Sequence, residues 1–382
     1  MGLFDFRKKQ EKTKKNTKNT NTTNNMEASN PLVRSDADVI TSDEEAKLFT
    51  KTIGDKYVQE KQLELTEEEW NRMSITDGAE MWRLYSWLHS KVLPDDTEEK
   101  RSCSREKMDR LGAALASKIL KAEELYCLYN KHTGEPHLFS NTVKQGEGYL
   151  CTPPDIRIFT KAYAGYQEKY YPEALFEMRK IENGADGKGI ENFLGECFYL
   201  NGTQGVEINS GQVAISAEML VAPPDFSGVQ QISIPVMNPD LMRWMLLMAQ
   251  FEEPETEDEK LIYRLYYRFM SQEIAKAKFL VPMKPGKDFP KGADGAGGIT
   301  LKRGAEFMVA TMKGKDDREA LIMYTDWKRL RQRYDGWDGT IMTLEQMMDV
   351  YDAAVNPTEH PRLGFYIGKE MYADIIKYRE NE

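Results

Sequence analysis

Long hydrophobic runs are missing from this sequence of 382 residues. The most apolar stretch, residues 241–251, is broken by Arg243 and Gln250 and falls short of the roughly 18 residues a transmembrane helix needs. No bilayer crossing is expected. Histidine and cysteine are scarce, with four of each. Cys103, Cys127, Cys151 and Cys197 are widely separated and contain no Cys-x-x-Cys pair, which suits a reduced compartment better than a disulfide framework. No secretory leader is expected, because Gly2, Leu3, Phe4 and Phe6 give way at once to Arg7, Lys8 and Lys9, leaving no apolar region of at least about 7 residues. A cytoplasmic location is the expectation.

Catalytic signatures are equally sparse. The chain has no Gly-x-Ser-x-Gly, no His-Glu-x-x-His and no dinucleotide fingerprint, so no hydrolase, metalloprotease or nucleotide motif suggests itself. Gly292, Gly295, Gly297 and Gly298 cluster, but no Gly-Lys-Thr or Gly-Lys-Ser follows to open a helix, and the cluster reads as a flexible hairpin loop. His132 and His137 lie between Cys127 and Cys151. Their spacing does not fit a zinc finger and the second half of the chain has no counterpart, so no metal ligand and no cofactor is assigned. A nucleophilic thiol at Cys127 or Cys151 would need a lowered pKa and a base within reach, and buried, inert thiols are expected instead. The acidic runs at 95–99 and 252–259 read as solvated linkers. No catalytic residue is assigned, and the protein is expected not to be an enzyme.

Charge is unevenly placed. The net charge is -10, yet residues 1–25 carry seven Lys or Arg against Asp5 and Glu11, so the remainder holds -15. Such an acidic body would repel a phosphate backbone, which argues against a nucleic-acid partner. Residues 1–30 are basic and polar and cannot bury enough surface to order themselves. This tail, with Leu3, Phe4 and Phe6 at its start, offers at most weak peripheral membrane contact.

What the sequence does contain is a pattern that occurs twice. Met81, Trp82, Leu84, Tyr85, Trp87 and Leu88 form a wide apolar helical face ahead of Pro94 and an acidic run, and Leu241, Met242, Trp244, Met245, Leu247 and Met248 do the same ahead of Pro254. A second helix follows in each case, through Met108, Leu111, Leu115 and Ile119 or through Leu261, Leu265, Phe269 and Ile274. Each leads into an apolar strand, at 125–129 and at 279–283. A later strand ends in Phe159-Thr160 or Tyr324-Thr325, where the threonine hydroxyl is placed to cap a helix. Another helix comes next, started in the second copy by a capping box at Thr343 and Gln346. A short strand then ends at Asn209 or at Asn356-Pro357, and strands at 213–215 and 363–367 close the units. Matching positions lie about 150–165 residues apart, a spacing that belongs to a duplicated domain rather than a solenoid. The expected fold class is α+β: two tandem diverged domains, each a small mixed or antiparallel sheet packed with helices and preceded by a helical segment. The boundaries are a disordered tail at 1–30, one unit at 37–222 and the other at 223–382, each with its own core.

The second copy resembles the SseB family, named for enhanced serine sensitivity, a group of bacterial cytosolic proteins. Lys278, Phe279, Leu280, Val281 and Pro282 look like the family's opening strand, followed by Tyr324, Thr325, Asp326 and Trp327 and by Ala354, Val355, Asn356 and Pro357. The first copy keeps Phe159, Thr160 and Asn209 but has Ser210 and Gly211 where Pro357 stands in the second. The resemblance implies a non-catalytic accessory or regulatory module that binds another, unidentified protein. Tyr324, Trp327, Trp337 and Tyr351 are the candidate interaction surface, with a place in the core as the plainer role for the same rings. Phe159, Thr160, Asn209, Tyr324, Thr325, Asn356 and Pro357 are family-motif positions with a structural role. A small-molecule or peptide sensor with a pocket at the domain junction is the alternative, and a thiol-dependent enzyme using Cys127 or Cys151 is a third.

Overall fold

The computed structural model describes residues 39–379 except 90–96, 147, 210–212, 231–232, 252, 287–305, 315–317 and 361. The basic tail and the glycine cluster therefore lie outside the described residues.

Helices open the N-terminal half, and their ends are written in the sequence. Helix α1 (Asp43–Ile53) is capped by the Ser42 hydroxyl, which accepts from the Glu45 N–H, and it runs on into a π-helical segment, Gly54–Glu60. Reciprocal capping boxes start α2 (Glu67–Arg72), through Thr66 and Glu69, and α3 (Ile75–Trp87), through Ser74 and Asp77. Helix α4 (Glu98–Leu120) buries Leu111, Leu115 and Ile119 at successive four-residue steps. Strands β1 (Glu124–Asn130), β2 (Leu138–Phe139), β3 (Thr142–Gln145), β4 (Gly148–Cys151) and β5 (Asp155–Phe159) follow. Then come α5 (Lys161–Glu168), β6 (Phe176–Glu182), α6 (Gly189–Tyr199), β7 (Gly205–Ile208), β8 (Ala214–Ser216) and α7 (Ala217–Leu220).

The C-terminal half starts with α8 (Pro239–Gln250) and α9 (Glu257–Lys276), the latter opened by a capping box of Thr256 and Glu259. It continues through β9 (Lys278–Pro285), β10 (Phe307–Val309), β11 (Thr311–Lys313), β12 (Glu319–Met323), α10 (Trp327–Arg333), β13 (Asp338–Thr343), β14 (Asp352–Val355), β15 (Phe365–Ile367) and α11 (Lys369–Arg379).

Strand order is the same in the two halves. In the first, the order is β6-β1-β5-β7-β8, with β5 and β7 parallel and the other pairs antiparallel. In the second, β13 pairs antiparallel with β9, β12 pairs parallel with β14, and β14 pairs antiparallel with β15. Leu280 and Tyr324 exchange backbone hydrogen bonds of 2.9 and 2.8 Å, which brings β9 beside β12 just as Tyr126 of β1 sits opposite Phe159 of β5. Each half also places a short helix, α5 or α10, directly after the strand that ends in an aromatic residue and threonine.

The expectation of two separate cores is corrected. One continuous cluster of buried side chains runs from Ile40 to Ile375 and takes in residues of both sheets and of the paired helices α3, α4, α8 and α9. Helix α8 explains why. Leu241, Met242, Met245, Leu246, Leu247, Met248 and Ala249 are all buried, so the helix is apolar around most of its girth and must be covered on more than one side. Its polar residues also reach the first half: Gln250 exchanges hydrogen bonds of 2.7 and 3.0 Å with the Leu138 backbone, and Arg243 Nε donates to the Gly202 carbonyl at 2.8 Å. The outer face of each sheet carries a small core of its own, Leu128, Phe159 and Ala164 in the first half and Val236, Leu280, Ala310, Ile322, Tyr324 and Leu330 in the second.

Three further expectations change. Glu98 and Glu99, and Glu257, Asp258 and Glu259, are not linker residues; they form the first turns of α4 and α9, where carboxylates meet the positive end of the helix dipole. Residues 344–350 are a series of turns rather than a helix, although the Gln346 side chain does accept from the Thr343 N–H at 2.8 Å. A strand also intervenes where two helices were expected in succession: β6 and β13 return to pair with β1 and β9. Among the described residues no helix is long and apolar enough to cross a membrane.

Candidate functional site

The most specific local geometry lies where the parallel strand pair of each half meets the following helix. Asn209 and Asn356 adopt the left-handed conformation, with φ of 54° and 47°, which asparagine tolerates better than other residues carrying a Cβ. The turn aims the Asn209 amide oxygen at the Thr160 N–H, 2.9 Å away, while the Asn209 N–H donates to the Ile158 carbonyl. Asn356 repeats this with the Thr325 N–H at 3.0 Å and the Met323 carbonyl at 2.8 Å. The expected capping role of the two threonines is thereby corrected. The Thr160 hydroxyl makes no cap bond and sits 2.8 Å from the Thr76 hydroxyl on α3. The Thr325 hydroxyl donates to Asp326, and it is Asp326 that caps α10 by accepting from the Arg329 N–H at 3.0 Å. Buried donors and acceptors favour pairing inside the fold, and in both halves the asparagine oxygen pairs the buried threonine N–H where the parallel strands end.

Helix α10 faces two ways. Trp327 and Leu330 turn onto the outer face of the C-terminal sheet, while Lys328 and Arg329 reach the first half. Arg329 is 2% exposed. One of its terminal nitrogens donates to Asp326, and the other donates at 2.7 Å to both Glu135 Oε1 and Asn201 Oδ1. Burial alone would weaken the charge on the guanidinium, but the Glu135 and Asp326 carboxylates more than offset this and hold its pKa above the usual range. Lys328 extends the contact to Glu196 on α6 at 2.6 Å. The junction between the halves is thus filled by a paired, hydrogen-bonded charge cluster.

The four candidate aromatic residues do not form an exposed set. Tyr324 is buried in the outer core and is corrected to a structural role. Trp327 and Trp337 are half-buried against that same core, and Tyr351 packs against the main one. What sequence reasoning missed is the apolar strip beside them. Register puts Met308 opposite Lys284 and Ile341 opposite Leu280 on the outer face of the C-terminal sheet, and Met312 opposite the small Ala320. Met308, Ile341 and Met312 are 58%, 44% and 42% exposed. The Lys284 ammonium stacks on the Trp337 ring, 4.5 Å from its centroid. Counting alternate positions along β13 and β10 could have found Ile341 and Met308, because strand residues two apart share a face.

The titratable groups between β1 and β4 are placed for packing. His137 is buried between the edges of Phe139 and Phe176, and loss of solvation, reinforced by Arg157, lowers its pKa to about 3. His132 is half-buried and holds the Asn130 amide oxygen through its backbone N–H. Burial raises the thiols of Cys127 and Cys197 far from the thiolate form, whereas Cys151 lies 3.2 Å from the Thr142 hydroxyl. Among the described residues no group of three or more His, Cys, Asp or Glu side chains is arranged around a metal position.

Five strands in the order described, with a short helix after the aromatic-threonine strand and a left-handed asparagine behind it, define an α+β unit. Residues 265–360, from within α9 to just beyond β14, match the family model of the SseB protein N-terminal domain, so the resemblance seen there in the sequence is borne out. No curated protein and no solved structure matches the chain.

Proposed function

We propose that the chain is a non-catalytic, cytosolic protein-binding module made of two diverged SseB-like units, and that the outer face of the C-terminal sheet is its contact surface. The observation that carries this reading is the strip of Met308, Met312 and Ile341, exposed beside the half-buried Trp337. Exposed apolar side chains gathered on one face mark contact surfaces, methionine adapts to the shape of a partner, and a half-buried tryptophan supplies a rigid anchor. The charge cluster at Arg329 ties α10 to the first half while Trp327, on the same helix, stays on the outer face of the C-terminal sheet. In this reading the first unit is a support and the second is the binding surface. A pocket for a small molecule at the junction is the weaker reading, since Arg329, Asp326 and Asn201 fill that space and are themselves buried.

The test is affinity capture from the native cell extract with the full chain and with Met308→Glu and Ile341→Glu. A stoichiometric partner held by the wild type and lost, by roughly tenfold or more in yield, from variants with unchanged circular dichroism supports the reading. Equal capture by all three chains overturns it.

A further inference from the structure

The two halves treat the outer edge of their sheets differently. In the first half the edge strand β6 carries Glu177, Arg179, Lys180 and Glu182 among seven residues, and α6 follows it as a full helix. Charged residues of this kind are a common guard against pairing with another chain. In the second half the edge strand β13 reads Asp-Gly-Thr-Ile-Met-Thr, with one charged residue, no lysine and no proline. Behind it stand turns rather than a helix. β13 pairs with β9 alone among the described strands.

The hydrogen-bonding pattern identifies which groups face outward. Leu280 uses its N–H and C=O on Tyr324, and the Pro282 carbonyl accepts from Ala310. Both residues therefore face β12 and the β10–β11 side, and their antiparallel neighbours Ile341 and Gly339 turn their own N–H and C=O groups away from β9. No hydrogen bond from a described residue meets these four groups. Around them the outer face carries exposed Ile341 between Lys278, opposite Thr343, and Lys284, which lies over Trp337. The Arg331 guanidinium lies over Trp327, which in turn covers Gly339: a Cβ on that glycine would meet the indole ring at 2.8 Å. Asp335 and Asp338 are the acidic groups at the start of the strand.

We infer that the free edge of β13 takes an additional β-strand, an extended segment of a partner protein with alternating apolar residues and acidic flanks. This deepens the interaction reading above and rests on it. Main-chain bonds to Gly339 and Ile341 supply affinity, the exposed Ile341 and the Trp327 and Trp337 rings receive every second side chain on the outer face, and Lys278, Lys284 and Arg331 favour acidic residues at the ends.

The probe is a fluorescein-labelled eight-residue peptide in which valine alternates with threonine and both ends carry glutamate, titrated into the full chain by anisotropy. Two versions are N-methylated, each on one of the two alternating sets of amides, and the protein is also made as Ile341→Pro, which deletes an outward N–H not used within the sheet. Saturable binding, weakened about tenfold or more by one methylation set and by Ile341→Pro but little by the other set, is the expected result. No saturable binding, or equal effects of both methylation sets, overturns the inference. Wild-type self-association in sedimentation that Ile341→Pro abolishes also overturns it, because the edge would then belong to a second copy. In the cell-extract capture, a partner lost with Met308→Glu but kept by Ile341→Pro sinks the edge inference and leaves the contact face standing. A partner insensitive to both sinks the two together.

Discussion

Replacing Arg329 by methionine tests how the halves are joined. The substitution keeps a long apolar side chain but removes the guanidinium that lies 2.7 Å from Glu135 and from Asn201 and also holds Asp326. With Arg329 2% exposed, water cannot take over these bonds, and removing one member of a buried ion pair costs about 3–5 kcal/mol because the remaining charges stay behind uncompensated. For a chain of this size that corresponds to a fall in Tm of roughly 4–6 °C. Chemical denaturation followed by circular dichroism and by tryptophan fluorescence measures the loss. Since the main core is continuous across the halves, the two signals should report one transition in the wild type. The double variant Arg329→Met/Glu135→Gln should recover part of the loss, by relieving one stranded carboxylate. A cost under about 1 kcal/mol for Arg329→Met, or a double variant less stable than the sum of the singles, would refute the reasoning.

Helix starts and the double pattern could be read from the sequence because they depend on local chemistry. Thr66 caps α2 through Glu69, three residues on. Long-range pairing was not legible. Nothing local to α8 says which halves of the molecule its apolar girth will join, so one shared core was read as two. The strands β6 and β13 were passed over because edge strands carry polar residues and depend for their conformation on β1 and β9, far away in the chain. Tyr324 illustrates the limit for a site residue. Its ring looks like an anchor in the sequence, and only the pairing with Leu280 reveals that α10 covers it. Arg329 gave no signal because its partners Glu135 and Asn201 lie more than a hundred residues upstream.

Two further outcomes are expected. Asn209→Ala and Asn356→Ala should each cost about 2–4 kcal/mol in denaturant unfolding, from strain at positive φ and from a threonine N–H left unpaired, while Asn→Gly at either site recovers only the strain. Below pH 6.5 stability should respond to His137 and Asp155 with opposite signs: His137, held at about 3 when folded, favours the unfolded chain as pH falls from 6.5 towards 3, whereas Asp155, raised to about 6 by burial and Glu207, favours the folded chain between pH 6 and 3.8. Asp155→Asn should therefore expose a fall of about 1.4 kcal/mol per pH unit from pH 6 to 4, and the further change His137→Phe should remove it; a flat profile in the single variant contradicts the assignment.

The most direct test of the binding face places a photo-crosslinking residue at Met308, at Ile341 and, as a control on the hairpin of the first half, at Val143, in cells that make the chain naturally. One discrete crosslinked species from positions 308 and 341, absent from position 143, is the predicted result. Crosslinks equal in all three positions, or confined to position 143, would contradict the assignment of the C-terminal outer face.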